Sequence, residues 1–330
     1  MMHYLGTAAK WLGAGCLTLT IIGCASRDAS TPAVNTYVEG ARAYREGDRD
    51  HAISALSSAV QQNPDLIMAR KMLGDMCRSG GDLENAAQQY EAVVRLDPYG
   101  FENFYNLGLT YQMMNRLEQA ASNYLKSLKL NAKDADANLN LGLVYLALGQ
   151  PADAEKYLQQ ALAIDANLGS AWANLGVALD AQAKYSDAEN AYRKALELDP
   201  VRPSTLVNFA SNLTVQGKSQ EAIQTFEQAT QREDSALARK RYGDALVLAK
   251  RYDDAIAQYE AALKLNKNYF PALNAEGLAR IAQYKQGLEL DDSKRGEAIN
   301  LWRKSLEIKK DQPNVQALIR DWEKKALFKD

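Results

Sequence analysis

Few side chains in this chain have the types and spacing that catalysis needs. The 330 residues contain two histidines, His3 and His51, and three cysteines. A catalytic triad or a histidine-rich zinc site needs several such groups close together. His51 has neither a second histidine nor a cysteine near it in the sequence, and a solvated surface position explains it. The sequence therefore predicts a non-enzymatic protein with no bound metal and no cofactor.

Other reactive groups also have structural explanations. The adjacent carboxylates Asp253-Asp254 and Asp291-Asp292 suit a helix start or a loop, where acidic residues are stabilised by the helix dipole or by water. Cys77 falls at a core position of its helix and is interpreted as a small buried hydrophobic residue. The glycines are spread at a regular interval, unlike those of a phosphate-binding loop.

One set of polar residues recurs at a fixed interval. The set comprises four asparagines spaced 34 residues apart: Asn106, Asn140, Asn174 and Asn208. A carboxamide offers a donor and an acceptor together, so it can pair with a peptide backbone whatever the side chains of that peptide. Each such bond contributes about 0.5–1.5 kcal/mol net. The series predicts weak, sequence-tolerant peptide binding; the alternative is that these residues cap or bridge neighbouring helices.

The same interval of 34 residues governs two series of small residues. The first series consists of Gly40, Gly74, Gly108, Gly142, Gly176, Ala210, Gly243 and Gly277. Its interval is one residue shorter between Ala210 and Gly243. The second series follows twelve residues behind: Ala52, Ala86, Ala120, Ala154, Ala188, Ala222 and Ala255. Such self-similarity is typical of a solenoid, in which each unit buries its apolar face against its neighbours.

Each unit has the pattern of two helices. In residues 170–200, apolar residues recur at helical spacing around Gly176 and again around Ala188. Pro200 closes the unit because proline cannot continue a helix. Glycines at the turn between the two helices are expected where a positive φ is needed. They are Gly47, Gly81, Gly149 and Gly217.

Two units carry a specific motif. In one, the residues are Trp172, Leu175, Gly176, Leu179, Ala188, Tyr192 and Pro200; in the other, they are Phe104, Leu107, Gly108, Tyr111, Ala120 and Tyr124. This pattern resembles the tetratricopeptide repeat family, and the resemblance covers eight units over about residues 33–310. It implies an all-α, right-handed solenoid of helix-turn-helix units.

The resemblance also implies a binding groove. In this family the first helices of the units line a concave surface, which places the asparagine series there. Further candidates on the same helices are Tyr105, Leu109, Gln112, Leu143, Val177 and Arg241, with Met113, Leu139, Leu146 and Asp180 beside them. Their composition predicts a largely apolar middle and a partner segment with aliphatic or aromatic side chains. Arg241 takes the place of the asparagine; it could receive a carboxylate or belong to a solvated charged face.

The N-terminus predicts export and lipidation. Lys10 precedes an uncharged stretch from Trp11 to Gly23, which suits a secretory signal and is too short to span a bilayer. Ile21-Ile22-Gly23-Cys24 resembles the lipobox of bacterial lipoproteins, which implies cleavage before Cys24 and anchoring to a lipid bilayer through its acylated sulfur and amino group. Ala25 stands where aspartate commonly retains such proteins at the inner membrane, so the outer membrane is favoured.

These patterns predict the organisation of the chain. Residues 1–23 form a signal peptide, 24–35 a lipidated flexible tether, 36–312 the solenoid and 313–330 a capping helix. The missing residue near 230–236 predicts a changed stacking angle or a modest hinge. An insertion near 284–295 predicts longer helices or a loop. The formal net charge of −2 and the lack of long basic runs disfavour a nucleic-acid partner.

The sequence therefore predicts a lipid-anchored scaffold on the periplasmic side of the outer membrane. Its partners are expected to be proteins or peptides, with no small-molecule substrate. It looks most like lipoproteins that assist type IV or Tad pilus and secretin assembly, and it is also similar to adaptors for peptidoglycan hydrolases or proteases. Both rest on the same architecture, so the sequence does not separate them. A self-assembling structural solenoid is a third alternative.

Overall fold

The computed structural model describes residues 31–287 and 291–327. In these residues the regular structure is entirely α-helical and comprises seventeen helices. The chain divides into two compact units, Met1–Met76 and Cys77–Asp330. The boundary falls within a single helix, α3 (Ile67–Ser79).

The first unit contains the helix pair α1 (Thr31–Glu46) and α2 (Arg49–Gln62), followed by most of α3. The Asp48 side chain caps α2 by accepting a hydrogen bond from the backbone N–H of His51 at 3.1 Å. Because α1 begins at Thr31, the prediction that the tether extends to residue 35 is wrong for residues 31–35. Proline at position 32 is compatible with this start, since a proline in the first helical turn loses no hydrogen bond.

The second unit is a succession of helices of similar length. Its members are α4 (Leu83–Leu96), α5 (Phe101–Met113), α6 (Leu117–Leu130), α7 (Ala135–Ala147), α8 (Pro151–Ile164), α9 (Gly169–Asp180), α10 (Tyr185–Leu198), α11 (Pro203–Val215), α12 (Ser219–Arg232), α13 (Ala236–Leu248), α14 (Tyr252–Leu265), α15 (Phe270–Gln286), α16 (Asp292–Ile308) and α17 (Pro313–Leu327). From α5 to α16 the odd-numbered helix is the first of its repeat and the even-numbered helix the second.

Both series of small residues are buried where paired helices approach each other. Every alanine of the second series is 0% exposed. A Cβ added to Gly176 would lie 2.5 Å from the ring of Tyr192, and one added to Gly142 would lie 2.7 Å from Leu158. Contacts this short are repulsive, so glycine is required opposite these large side chains. The first helix is held against the second at this point.

The turn between paired helices has one backbone conformation in successive repeats. The four glycines predicted there all have positive φ, between 71° and 84°. Asn115, Ala183 and Lys250 occupy the same place in three further repeats, with φ of 59°, 58° and 60°. A non-glycine residue in this conformation is strained by its own Cβ. The turn geometry is therefore kept even where the sequence does not favour it.

The core of the second unit runs continuously from repeat to repeat. One buried cluster joins Leu158 of α8, Leu175 of α9, Tyr192 of α10 and Leu213 of α11. Each helix pair thus buries apolar surface against the following first helix, as a solenoid requires. The predicted all-α solenoid of helix pairs is confirmed.

The repeat pattern is irregular at two places, the missing residue between α12 and α13 and the insertion at α15 and α16. Three residues, 233–235, connect α12 to α13, and Ser235 caps α13. A buried cluster that includes Phe226 and Ala238 crosses this junction, and the hinge stays a prediction. At the insertion, α15 and α16 are each 17 residues long, so its described residues lengthen both helices.

The last helix packs against the final pair. Trp322 of α17 makes an edge contact with Tyr284 of α15, with ring centroids 6.1 Å apart. Just before α17, the buried Gln312 donates to the carbonyl of Ser305 at 3.1 Å and accepts from Asn274 at 2.8 Å. The polar start of α17 is therefore fixed to both α15 and α16.

Candidate peptide-binding face

The first helices of the second unit form one surface. Each of α5, α7, α9, α11 and α13 contacts the next first helix, and the second helices do not approach one another as closely. We call the exposed side of these helices the first-helix face. All predicted groove residues lie on these helices. Met113 is exposed at 51% and the others are half-buried, so none is sealed in the core.

Three of the four asparagine side chains form a hydrogen bond with a side chain of another helix. Asn106 accepts from the Arg78 guanidinium at 2.9 Å, and Asn140 donates to the Tyr105 hydroxyl at 3.0 Å. Asn208 accepts from Arg241 at 3.2 Å. These bonds agree with the alternative that the series bridges neighbouring helices.

The bridging leaves part of each carboxamide for another partner. Asn174 donates to the Ser170 carbonyl of its own helix at 2.7 Å. In the contacts of the described residues, Asn106 and Asn208 use only the oxygen, and Asn140 and Asn174 use only the amide nitrogen. Since a carboxamide has both a donor and an acceptor end, bridging and peptide binding are compatible.

A tyrosine of the second helix sends its hydroxyl to the first-helix face. The Tyr124 hydroxyl donates to Gln112 at 2.7 Å, and the Tyr192 hydroxyl donates to Asp180 at 2.8 Å. Burial raises the pKa of Tyr124 and of Tyr192, so both remain neutral donors. Gln112, predicted as a groove residue, is therefore held by a side chain that sequence reasoning did not connect with it. The signal was the spacing of twelve residues common to both pairs.

Tyr105 is similarly restrained. Its ring packs at a tilt against Tyr124, with centroids 5.7 Å apart, and its hydroxyl receives the bond from Asn140. Burial, reinforced by the charge of Asp136, raises the pKa of Tyr105 to about 12. Tyr105 thus offers a fixed, neutral and partly apolar surface beside the first two asparagines.

Exposed apolar residues occur at both ends of the face, with Met113 at 51% on α5. The predicted residues Leu109, Leu143 and Val177 are half-buried. Four aliphatic residues farther along are more exposed: Val215 at 60%, Leu237 at 49%, Leu248 at 66% and Leu278 at 50%. We call these four the aliphatic patch. Sequence reasoning did not select them, although their register on the first helices could have indicated it.

Two adjacent cations, Lys240 and Arg241, also lie at this end of the face. Lys240 forms an ion pair with Asp244 at 2.6 Å, one helical turn away. Arg241 bonds instead to the neutral Asn208 oxygen. Asp244 is further held by the Tyr259 hydroxyl at 3.0 Å. The face therefore changes from neutral amides to charges between α11 and α13.

The repeat pattern is matched by family models. Three models, described as tetratricopeptide repeat or TPR repeat, match residues 74–115 and 114–149, 133–200, and 208–269. Together they cover more than half of the chain. The chain belongs to the tetratricopeptide repeat family. The function class that follows is a scaffold for protein–protein interaction.

Solved tetratricopeptide repeat structures share the fold. A repeat protein from Parabacteroides merdae is 17% identical, with a TM-score of 0.59, over 76% of this chain and 99% of its own. A chain of the APC/C hetero-tetramer Cut9-Hcn1 is 16% identical, with a TM-score of 0.60, over 83% and 52%. The pilF protein of Pseudomonas aeruginosa is 19% identical, with a TM-score of 0.54, over 62% and 94%. Among curated proteins, none has a sequence that matches this chain.

The remaining predicted site lies elsewhere. Cys24 falls outside the described residues. Within residues 31–287 and 291–327, no helix combines the length and apolarity needed to cross a bilayer, and no group of three or more potential metal ligands occurs. Cys77 is buried, as predicted, at 8% exposure.

Proposed function

We propose that this protein is a membrane-anchored scaffold that holds extended segments of partner proteins on its first-helix face. The observation that carries the proposal is the asparagine series on four successive, mutually contacting first helices. Each carboxamide is oriented by one internal hydrogen bond and keeps a second polar end. Orientation before binding lowers the entropy lost when a partner is bound.

The surroundings of the series suit a backbone-reading site. Leu109, Leu143 and Val177 lie one turn from the asparagines on α5, α7 and α9 and are half-buried. Aliphatic side chains of a partner can pack there while its backbone pairs with the amides. This combination resembles other extended-peptide sites, where backbone bonds supply affinity and side-chain contacts supply selectivity.

The proposed location is the periplasmic face of the outer membrane, with Cys24 as the acylated anchor. Several acyl chains hold a protein on a bilayer far more firmly than one. The proposed role is assembly of an envelope complex of the type IV or Tad pilus and secretin kind. The fold shared with pilF is compatible with this role but supports it at the level of fold alone.

The face can be tested by comparing partner capture. Asn106, Asn140, Asn174 and Asn208 are changed together to alanine, and envelope proteins crosslinked to each version are identified by mass spectrometry. The matched control changes four exposed amides of second helices to alanine: Gln88, Gln160, Asn190 and Gln224. We expect the first variant to lose partners and the control to keep them, with unchanged circular dichroism in both.

The identity of the captured proteins decides between pathways. Secretin or pilus components support the proposed role, whereas cell-wall hydrolases or proteases would transfer the same scaffold to the alternative pathway. Identical capture by wild type and the asparagine variant would refute the use of this face.

The anchor is tested by Cys24→Ser. We expect loss of metabolic palmitate labelling and release of the protein from the membrane fraction, because serine has no sulfur to receive the diacylglyceryl group. Cys77→Ser is the control and should leave both readouts unchanged. Continued labelling of the Cys24→Ser protein would show that the lipidation site has been wrongly assigned.

A further inference from the structure

Arg241 differs from the other cations of the first-helix face. It occupies the position that asparagine holds in the four preceding repeats, and it is half-buried. Its contact among the described residues is the hydrogen bond to the neutral oxygen of Asn208. A guanidinium has five N–H donors, so most of its donating capacity is left over.

The nearby carboxylates are already committed to other groups. Asp180 accepts from the Asn212 amide at 2.6 Å and from the Tyr192 hydroxyl at 2.8 Å. Asp244 pairs with Lys240 and receives the Tyr259 hydroxyl. Arg241 therefore faces the binding surface without a carboxylate of its own chain within ion-pair distance in the described residues.

The aliphatic patch brackets Arg241. Leu237 and Leu248 lie four residues before it and seven after it, so all three share one face of α13. Val215 and Leu278 lie on α11 and α15, the two first helices that contact α13. Exposed aliphatic residues therefore lie on the helix of Arg241 and on both first helices that contact it.

We infer that this end of the first-helix face recognises a carboxylate side chain flanked by aliphatic residues, with Arg241 as the anchor. The inference rests on the proposed function, because it names the partner chemistry of the same face. A carboxylate can accept two parallel N–H bonds from a guanidinium, a geometry that the single ammonium of lysine does not match. The aliphatic patch would receive the residues on either side of the acid.

The test selects peptides on the purified full-length protein in detergent. A phage library of random twelve-residue peptides is selected in parallel on wild type, Arg241→Gln and the control Arg95→Gln, whose side chain is exposed on the second helix α4. We expect wild type and the control to enrich aspartate or glutamate between aliphatic residues. The Arg241→Gln protein should retain the aliphatic preference and lose the acidic one.

A double-mutant cycle then measures the contact itself. A selected peptide is synthesised with its acid and with the matching amide, and both are titrated against wild type and Arg241→Gln. We expect the amide peptide to bind wild type about tenfold or more weakly, as for a charged hydrogen bond. Against Arg241→Gln, the two peptides should bind equally.

The outcomes separate the inference from the proposed function. Aliphatic peptides without an acidic preference would overturn the role of Arg241 and leave the peptide-binding face intact. If no peptide is enriched, both fail. A wild-type dimer that dissociates on Arg241→Gln would overturn the inference in favour of a second copy of the chain.

Discussion

The first-helix face has two regions with the same interior and different surfaces. From α5 to α11 it carries the half-buried asparagines and few charges, whereas α13 carries the cations Lys240 and Arg241. In each region a tyrosine packs opposite the small residue of one repeat, Tyr192 at Gly176 and Tyr259 at Gly243. The repeat constrains the residues that pack between paired helices. The exposed positions of the same helices can vary, and this variation can select partners.

Two buried carboxylates in different repeats of the second unit also differ. Glu189 of α10 is bonded by Lys218 at 2.6 Å and by Gln216 at 2.8 Å across two repeats. Despite the opposing effect of burial, these partners lower the pKa of Glu189 to about 2. Burial dominates at Glu276 of α15 and raises its pKa, although Arg280 opposes the change. Folding therefore stabilises the charged form of Glu189 and destabilises the charged form of Glu276.

The largest expected effect tests the shared interior. Gly176→Ala and Gly243→Ala should each lower the free energy of unfolding by about 2–3 kcal/mol, because the new methyl group overlaps a buried tyrosine ring. Urea unfolding measures the loss. Gly169→Ala is the control, since its Cβ would meet Leu198 at 3.4 Å, and it should change stability by less than about 0.5 kcal/mol. Tolerance of alanine at either position would mean that the two regions do not share one interior.

A smaller effect should separate the two carboxylates. Glu189→Gln is expected to cost about 1–2 kcal/mol at pH 7, because charged hydrogen bonds are replaced by neutral ones. The folded-state pKa is depressed, so the carboxylate stabilises above its ordinary pKa and this contribution is lost as the pH falls towards about 2. The gap between wild type and variant, followed by urea unfolding, should therefore close with acidification below about pH 4.5.

Glu276→Gln should behave in the opposite sense. Since the folded-state pKa of Glu276 is raised, its charged form is disfavoured above the ordinary pKa, and acidification relieves that cost. The variant is expected to lose less stability at pH 7 than Glu189→Gln. Equal losses and parallel pH profiles would contradict the distinction between the two carboxylates.

The smallest effect concerns the turns, where the regions should agree. Ala183→Gly and Lys250→Gly are each expected to stabilise the protein by about 1 kcal/mol, because glycine removes the strain of positive φ. Gly149→Ala is the reciprocal control and should lose a similar amount. Thermal unfolding is suitable for all three. A loss of stability in either glycine variant would argue that its side chain makes a contact worth more than the strain.

Much of this architecture was readable from the sequence because the repeat supplies many copies of one packing rule. The burial of the alanine series and the positive φ at Gly149 and Gly217 follow from residue size and backbone freedom alone. The residue type of Ala183 does not predict its positive φ. Only its position, 34 residues from Gly149 and Gly217, predicts this turn. Periodicity therefore predicted structure beyond what local propensity indicated.

The surface was harder to predict. The bonds from Tyr124 to Gln112 and from Arg241 to Asn208 depend on how far side chains reach between helices, which spacing does not specify. The exposure of Val215 and Leu248 depends on what the neighbouring helices leave uncovered. The sequence does not predict the start of α1 at Thr31, because a small, polar, proline-containing segment lacks the apolar periodicity that indicates a helix.

The neighbour-spanning core determines how the second unit should open. The cluster around Tyr192 draws on five successive helices, α8 to α12, so none of them can separate without exposing apolar surface on its neighbours. Backbone amides in α9 and α10 should exchange hydrogen for deuterium last, after several repeats have come apart together. Helix α17, which packs mainly against α16, should exchange earlier than α9 and α10.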